Sequence, residues 1–199
     1  CPEFNADVCI VGAGAAGISL ARQLMQAGKR VLLLESGGLD FENETQSLYE
    51  GDNVGMPYYD LVDARLRFFG GTTNIWGGRC VPLDPIDFQH RNWVPHSGWP
   101  ISSKDLDRHY RAAHDQLQLG DYSYHDDLWR EATQAPPALD PKLLQTRFWR
   151  FDTIKERFSA KRCVDLIQSD LVMLLIHANV TKLHAHNDGN HINQISLSS

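Results

Sequence analysis

Six consecutive residues, Gly12-Ala13-Gly14-Ala15-Ala16-Gly17, place three glycines at the spacing G-x-G-x-x-G, and Glu35 follows 18 residues after the last of them. That pattern suits the two phosphates and the ribose of a dinucleotide. Gly12 permits a tight turn, Gly14 a close backbone approach to a pyrophosphate, and Gly17 close packing of a helix on a sheet. A helix that begins at Ala15 and Ala16 offers free N–H groups and the positive end of its dipole to the phosphates. Glu35, with Ser36 beside it, lies near the spacing of about 20 residues expected of an acid that holds a ribose hydroxyl.

The flanking segments read as the elements such a loop needs. Asp7-Val8-Cys9-Ile10-Val11 is apolar and partly β-branched, as a central parallel strand is, with Cys9 as a small core residue. The helix runs from Ala15 to about Ala27, with Ile18, Leu20, Ala21, Leu24 and Met25 on its inner side, and Gly28 stops it. Arg30-Val31-Leu32-Leu33-Leu34 is the second strand. Strand, glycine turn, helix, second strand and acid therefore stand in the order of a βαβ unit.

A second glycine cluster, Gly70-Gly71-Thr72-Thr73-Asn74-Ile75-Trp76-Gly77-Gly78, packs four glycines into nine residues. Backbone N–H groups and short polar side chains among glycines fit a surface that approaches a flat or charged ligand closely. Ahead of it, Arg65 to Phe69 reads as a short strand or an extended lead-in. Behind it, Pro82, Pro85, Pro95 and Pro100 keep the chain irregular, with Trp93 and Trp99 expected to bury there. Ser102 and Asp105 begin a helix with a capping-box-like pair, Leu106, Tyr110, Ala113 and Leu117 recur at helical spacing, and Gly120 closes it. A weak helical pattern covers Ala160 to Ser169. Leu171 to Ile176 reads as a strand or a buried helix end. Asn179 to Leu183 and His191 to Leu197 read as strands joined by a turn at Asn187-Asp188-Gly189-Asn190.

The bulk properties narrow the partners. The chain has 199 residues and a formal net charge of −6, without a basic cluster, so nucleic acid is not an expected partner. The longest apolar run is too short to span a bilayer, and no signal peptide is evident. The first residue is not Met, which leaves a removed leader and a partial chain both open. A soluble protein of cytoplasm or periplasm is expected, without a choice between them. The four cysteines form no C-x-x-C pair, and the nine histidines have no accompanying Cys or carboxylate cluster, so no metal site is expected.

These motifs, together with Leu34-Glu35-Ser36-Gly37-Gly38, Arg79-Cys80, Ser97-Gly98-Trp99-Pro100-Ile101-Ser102 and Asp105-Leu106, resemble the N-terminal portion of the glucose–methanol–choline oxidoreductases, nearest to the bacterial sugar and polyol dehydrogenases. The resemblance covers most of residues 5 to 120 and, more weakly, the final strands. It implies an α/β, Rossmann-like FAD/NAD(P)-binding domain: a parallel sheet with helices and a small β-meander or hairpin, truncated. It implies FAD, with Gly12, Gly14, Ala15, Ala16 and Gly17 at the pyrophosphate and Glu35 and Ser36 at the adenosine ribose. Gly70, Gly71, Thr72, Thr73, Asn74, Trp76, Gly77 and Gly78 would run along the flavin and ribityl chain, and the backbone of Val180 would meet the adenine. Relatives that attach FAD covalently use a histidine where this chain has Ile75, which implies non-covalent FAD.

The implied reaction is oxidation of the CH–OH group of a small-molecule alcohol or sugar, with hydride passing to flavin. The family's catalytic base is a histidine near the C-terminus of a longer chain. No histidine here matches it, so no catalytic residue is assigned. Residues 1–40 are the βαβ unit, 41–160 an irregular and helical insertion carrying the second glycine cluster, and 161–199 the returning strands. The substrate domain is absent, and the missing C-terminal part and an electron acceptor are the expected further partners. A non-catalytic FAD-binding remnant stands as the alternative. An NAD-dependent dehydrogenase would share Gly12 to Glu35 but not explain Gly70 to Gly78, and a disulfide reductase would need a second redox cysteine beside Cys80.

Overall fold

The computed structural model describes residues 5–198, so Cys1 lies outside the described residues. In chain order its strands are β1 (Val8–Val11), β2 (Val31–Leu34), β3 (Arg79–Cys80), β4 (Arg150–Phe151), β5 (Val172–Leu175), β6 (Asn179–Ala185) and β7 (Ile192–Ser198). Its helices are α1 (Ala15–Gln26), α2 (Asn43–Ser47), α3 (Leu61–Ala64), α4 (Ser103–Leu117), α5 (Asp127–Glu131) and α6 (Val164–Ile167), with short 3₁₀ turns between them. The chain forms two compact units: residues 1–76 with 155–199, and residues 77–154.

The first unit is built on a parallel sheet with β2 at its centre. Val8 to Val11 pair with Val31 to Leu34, and these pair with Val172 to Leu175. Leu171 to Ile176 therefore resolves as a strand. It is a run of four to eight apolar residues placed beside an already buried strand, where ladder hydrogen bonds satisfy its backbone. Between β1 and β2, α1 lays Ile18 and Ala21, both fully buried, over Val31 and Leu33. Leu166 of α6 and Phe69 complete this core. Arg22 of α1 grips Asp165 of α6 with two hydrogen bonds of 2.9 Å. The guanidinium holds the Asp165 carboxyl below its ordinary range. Behind the sheet, β6 and β7 form an antiparallel hairpin whose register shifts twice, and Gly189 turns it with φ +70°.

Two expectations for this unit need correction. Leu20 is 49% exposed, because the helical stripe that reaches the sheet is carried by Ile18 and Ala21. Cys9 is exposed. Side chains alternate along β1, so Ile10 enters the core while Cys9 and Val11 turn to the other face. That face borders a cavity of about 600 Å³ lined also by Leu32 of β2 and by Leu183, Ile192 and Leu197 of the hairpin. Arg65 to Phe69 forms no strand and is an extended lead-in to the second glycine cluster.

The second unit contains the two-stranded β3–β4 ladder and α4. The Ser102–Asp105 capping box forms, and Asp105 accepts the Ser102 backbone N–H at 2.8 Å. The helix closes two residues earlier than expected: the left-handed residue is Gln118, φ +53°, with Gly120 adopting a second left-handed turn. Buried His114 lies against the Gly120 carbonyl through Nδ1 and the Tyr124 hydroxyl through Nε2, at 3.1 and 2.7 Å. A carbonyl only accepts, so Nδ1 carries the proton and Nε2 accepts from Tyr124. Burial pushes the Tyr124 phenol up to about 12. Trp93 and Trp99 are 77% and 60% exposed, against expectation. Their segment holds only a 3₁₀ turn and bends, with no helix or sheet face for the rings to cover.

Leu33→Ala is expected to cost about 2–5 kcal/mol, read as a lowered urea midpoint, because the sheet and α1 cannot close over the cavity it leaves. Asp165 should contribute stability above the unfolded carboxylate pKa of about 3.9 and lose it as pH falls through the depressed native value. Asp165→Asn should therefore flatten the acid limb of a stability profile between pH 6 and 2.

Candidate cofactor site

The first glycine loop leaves β1 at Val11 and enters α1 at Ala15. Gly12 N–H donates to the Leu34 carbonyl at 2.7 Å, so the loop starts tied to β2. Gly14 is the N-cap of α1 and has no side-chain cap, which leaves the first-turn N–H groups of Ala15, Ala16 and Gly17 for an outside acceptor. A Cβ at Gly14 would meet nothing within 4 Å of this chain. Gly17 differs: a Cβ there would lie 1.9 Å from the Gly12 carbonyl oxygen, so only glycine allows the helix to lie against the loop.

Glu35 closes the other side. It is 6% exposed, and its carboxylate accepts the Ala13 N–H at 2.8 Å on Oε2 and the Gly37 N–H at 2.9 Å on Oε1. The Ser36 hydroxyl lies 3.4 Å from Oε1. The backbone of Glu35 ends the sheet, bonding to the Leu175 carbonyl and the Ala178 N–H. One residue thus ties the glycine loop, the Ser36–Gly38 turn and the edge of β5 together.

The second glycine cluster arrives at the same place. Gly70 N–H donates to the Ala13 carbonyl at 2.7 Å, and Gly14 and Gly70 form a parallel bridge. Phe69 N–H donates to the Gly38 carbonyl at 3.0 Å. Gly70 has φ +88°, and a Cβ there would lie 2.6 Å from the Phe158 carbonyl oxygen. Gly71 to Asn74 then form a 3₁₀ turn braced by its own side chains. Thr72 Oγ1 accepts the Leu66 N–H, Thr73 donates to the Gly70 carbonyl, and Asn74 Nδ2 donates to the Phe69 carbonyl. Asn74 Oδ1 is buried with no hydrogen-bond partner among the described residues. Ile75 is 66% exposed and Trp76 half-buried.

Gly77 and Gly78 belong to the second unit. There the Gly78 carbonyl accepts the Asp152 N–H at 2.8 Å, and a Cβ on Gly78 would strike the Asp152 carbonyl at 2.3 Å. Val180 lies in β6, paired with Leu197. Its neighbour Asn179 accepts a hydrogen bond from Arg67 Nη1 at 3.0 Å, and Arg67 also stacks on Tyr49, 4.2 Å from the ring centre.

Two supporting residues carry no motif. Buried Gln46 donates to the carbonyls of Val62 and Arg65 and accepts the Arg67 N–H, bracketing the lead-in to Gly70. Ser159, near the second cluster's Asn74, sits in an unpatterned stretch. The sequence signal for either is a lone polar residue, which long-range contact alone makes meaningful. Among the described residues no group of three or more His, Cys, Asp or Glu is placed to hold a metal ion. Among them, too, no helix is long and apolar enough to cross a membrane.

The chain belongs to the FAD dependent oxidoreductase family (DAO), whose family model matches residues 7–151. FAD is the cofactor that goes with this family. The site fits such a group: an uncapped helix start, an open cradle at Gly14 and an orphaned buried carbonyl at Asn74 stand together. The chain is 29% identical over 123 residues to 6'''-hydroxyparomomycin C oxidase of Streptomyces lividus, a match covering 56% of this chain and 22% of that protein. Its fold is similar to that of pyridoxine 4-oxidase from Mesorbium loti, with TM-score 0.50 and 17% identity over 97% of this chain and 46% of that one. A fungal aryl-alcohol oxidase shares the fold at TM-score 0.51 and 13% identity, over 98% and 42%. The matches span about a fifth of the curated relatives' length and under half of the solved chains.

Glu35→Gln sets an amide N–H₂ against one of the two backbone donors it now serves. It should cost about 1–3 kcal/mol of unfolding free energy in the cofactor-free chain. An unchanged denaturation midpoint would show that the carboxylate does not brace the loops.

Proposed function

We propose that this chain is the FAD-binding portion of a glucose–methanol–choline-type oxidoreductase that oxidises a CH–OH group of an alcohol or sugar. The observation that carries the reading is the joining of the two glycine loops by the Gly70–Ala13 hydrogen bond and the Gly14–Gly70 bridge. A single-loop dinucleotide site has no need of the second cluster. Two adjoining loops suit a ligand with both a pyrophosphate and a further long polar arm.

In this reading Gly12, Gly14, Ala15, Ala16 and Gly17 hold the pyrophosphate through backbone N–H groups and the α1 dipole. Glu35 Oε2 keeps a free lone pair after accepting the Ala13 N–H, which serves a ribose hydroxyl, while Oε1 is taken by the Gly37 N–H and the Ser36 hydroxyl. Gly70 to Asn74 and Trp76 line the ribityl and flavin path, and Val180 meets the adenine. FAD, when bound, supplies acceptance of two electrons from the substrate carbon. Ile75 bears no nucleophile, in keeping with non-covalent attachment. The oxidase relative's name carries a hydroxylated compound, which supports an alcohol substrate. No catalytic base, substrate-binding residue or electron-acceptor contact is assigned among these residues.

The test is the visible spectrum of the purified chain before and after acid precipitation. Flavin bands that pass into the supernatant, with FAD recovered there, are the expected result. Flavin retained in the pellet would overturn non-covalent attachment, and failure to bind added FAD would overturn the cofactor assignment of these loops.

A further inference from the structure

Wholly within the second unit, residues 77–154, lies a cavity of about 340 Å³. Small-molecule sites of this size pair apolar walls with a few placed polar groups. One wall is a stripe of α4. Ser103, Asp107 and Tyr110 stand at i, i+4 and i+7, the spacing that gathers residues on one helical face. A helix packed on a core shows apolar residues along such a stripe, and this one is polar. Tyr122, Ser123, Tyr124 and Arg147 line the cavity with it, and Val81 to Leu83 add apolar surface.

The tyrosine rings are fixed by their neighbours. Tyr110 and Tyr122 lie nearly parallel, 14° apart, with ring centres 6.4 Å from one another. Tyr124 meets Tyr122 edge-on at 5.8 Å, and buried His114 packs against both. The hydrogen bond between Tyr124 and His114 and the guanidinium of Arg111, 4.9 Å from the Tyr122 ring centre, hold the cluster. Rings held in this way lose little rotamer freedom when a ligand arrives.

The polar groups are only half used. The Tyr110 hydroxyl accepts the Leu83 N–H at 3.2 Å, which leaves its own proton free to donate. The Ser123 hydroxyl gives its proton to Asp127 at 2.6 Å, which leaves its oxygen free to accept. Burial, with the Asp107 carboxylate next in effect, pushes the Tyr122 phenol above its ordinary range, so it stays a donor. Arg147 is tied to Asp84 at 2.6 Å through Nη1 and keeps further N–H groups. Asp107 and Arg147 give the lining one formal charge of each sign, so an anion meets the carboxylate and a cation meets the guanidinium. The ligand that suits these walls is neutral, carries several groups that both donate and accept, and offers apolar faces to the rings. A sugar ring has all three properties, with hydroxyls at its edge and C–H groups on its faces.

We propose that the second unit holds a binding site for a neutral pyranose sugar in this cavity, with Asp107 and the tyrosine wall as its contacts. The site binds and has no reacting group, and it depends on neither FAD nor the oxidoreductase reading.

The experiment is an amide chemical-shift titration of the full chain at neutral pH, without FAD, using the methyl α-glycosides of glucose, galactose and mannose up to roughly 100 mM. Saturable shifts at residues 103–110 and 122–124 with at least one glycoside are the expected result. Asp107→Asn and Tyr122→Ala should each weaken that glycoside roughly three- to tenfold, and Tyr122→Phe, which keeps the ring, should retain most of the affinity. Asp107 is exposed, so Asp107→Asn should leave the melting temperature unchanged, and it decides the proposal alone if Tyr122→Ala does not fold. Glucuronate, and glucosamine protonated at about pH 6, should bind more weakly than the neutral glycosides. No saturable shift with any of the three glycosides would overturn the proposal, as would shifts confined to other residues. An Asp107→Asn chain that binds as the unmodified one does would remove the carboxylate contact and the site with it. Tighter binding of either charged sugar would overturn the neutral class.

Discussion

The hydrogen bond from Gly70 N–H to the Ala13 carbonyl is the joint on which the rest of the site depends. Each glycine loop taken alone is a turn with exposed backbone. Joined at 2.7 Å, with the Gly14–Gly70 bridge beside them, they form one continuous backbone surface. The joint demands close approach of two main chains, and that explains the glycines at its edges. Gly17 admits α1 against Gly12, and Gly70 admits the Phe158 carbonyl. The chemistry of such a surface is carried by N–H groups, which a side-chain search does not see.

Backbone joints of this kind need polar support, because donors such as the Ala13 and Gly37 N–H groups find no partner within their own turns. Glu35 supplies it from inside, with one carboxylate serving Ala13 and Gly37. Gln46 supplies it from outside, bracketing Val62, Arg65 and Arg67 so that the lead-in arrives extended at Phe69. The buried polar residues of this unit sit where turns cross. The apolar ones, Ile18, Val31, Leu33 and Leu166, sit where helix meets sheet. Hydrophobic burial holds the scaffold, and hydrogen bonds to charged or amide groups set the loops on it.

Much of the fold was legible in the chain itself. The strand–turn–helix–strand order of residues 7–34 is local, and its glycines and apolar periodicity each act over a few residues. The Ser102 capping box and the turn at Gly189 were legible for the same reason. Burial was less legible. Leu20, Trp93 and Trp99 are apolar by type but exposed, because composition does not say whether a neighbouring element arrives to cover them. Cys9 lies on a strand that alternates, and which of its two faces is packed depends on elements far away in the chain.

The sequence by itself determined the dinucleotide loop, its helix and its acid, since these rest on torsional freedom and short-range spacing. It determined also that a second glycine-rich segment exists. Only the tertiary structure decided that β5 lies beside β2, that Gly70 meets Ala13, and that Glu35 points its carboxylate at both loops. Such pairings join residues far apart along the chain. Their energy comes from contacts that no local pattern encodes, so they emerge only when the sheet has set the distances.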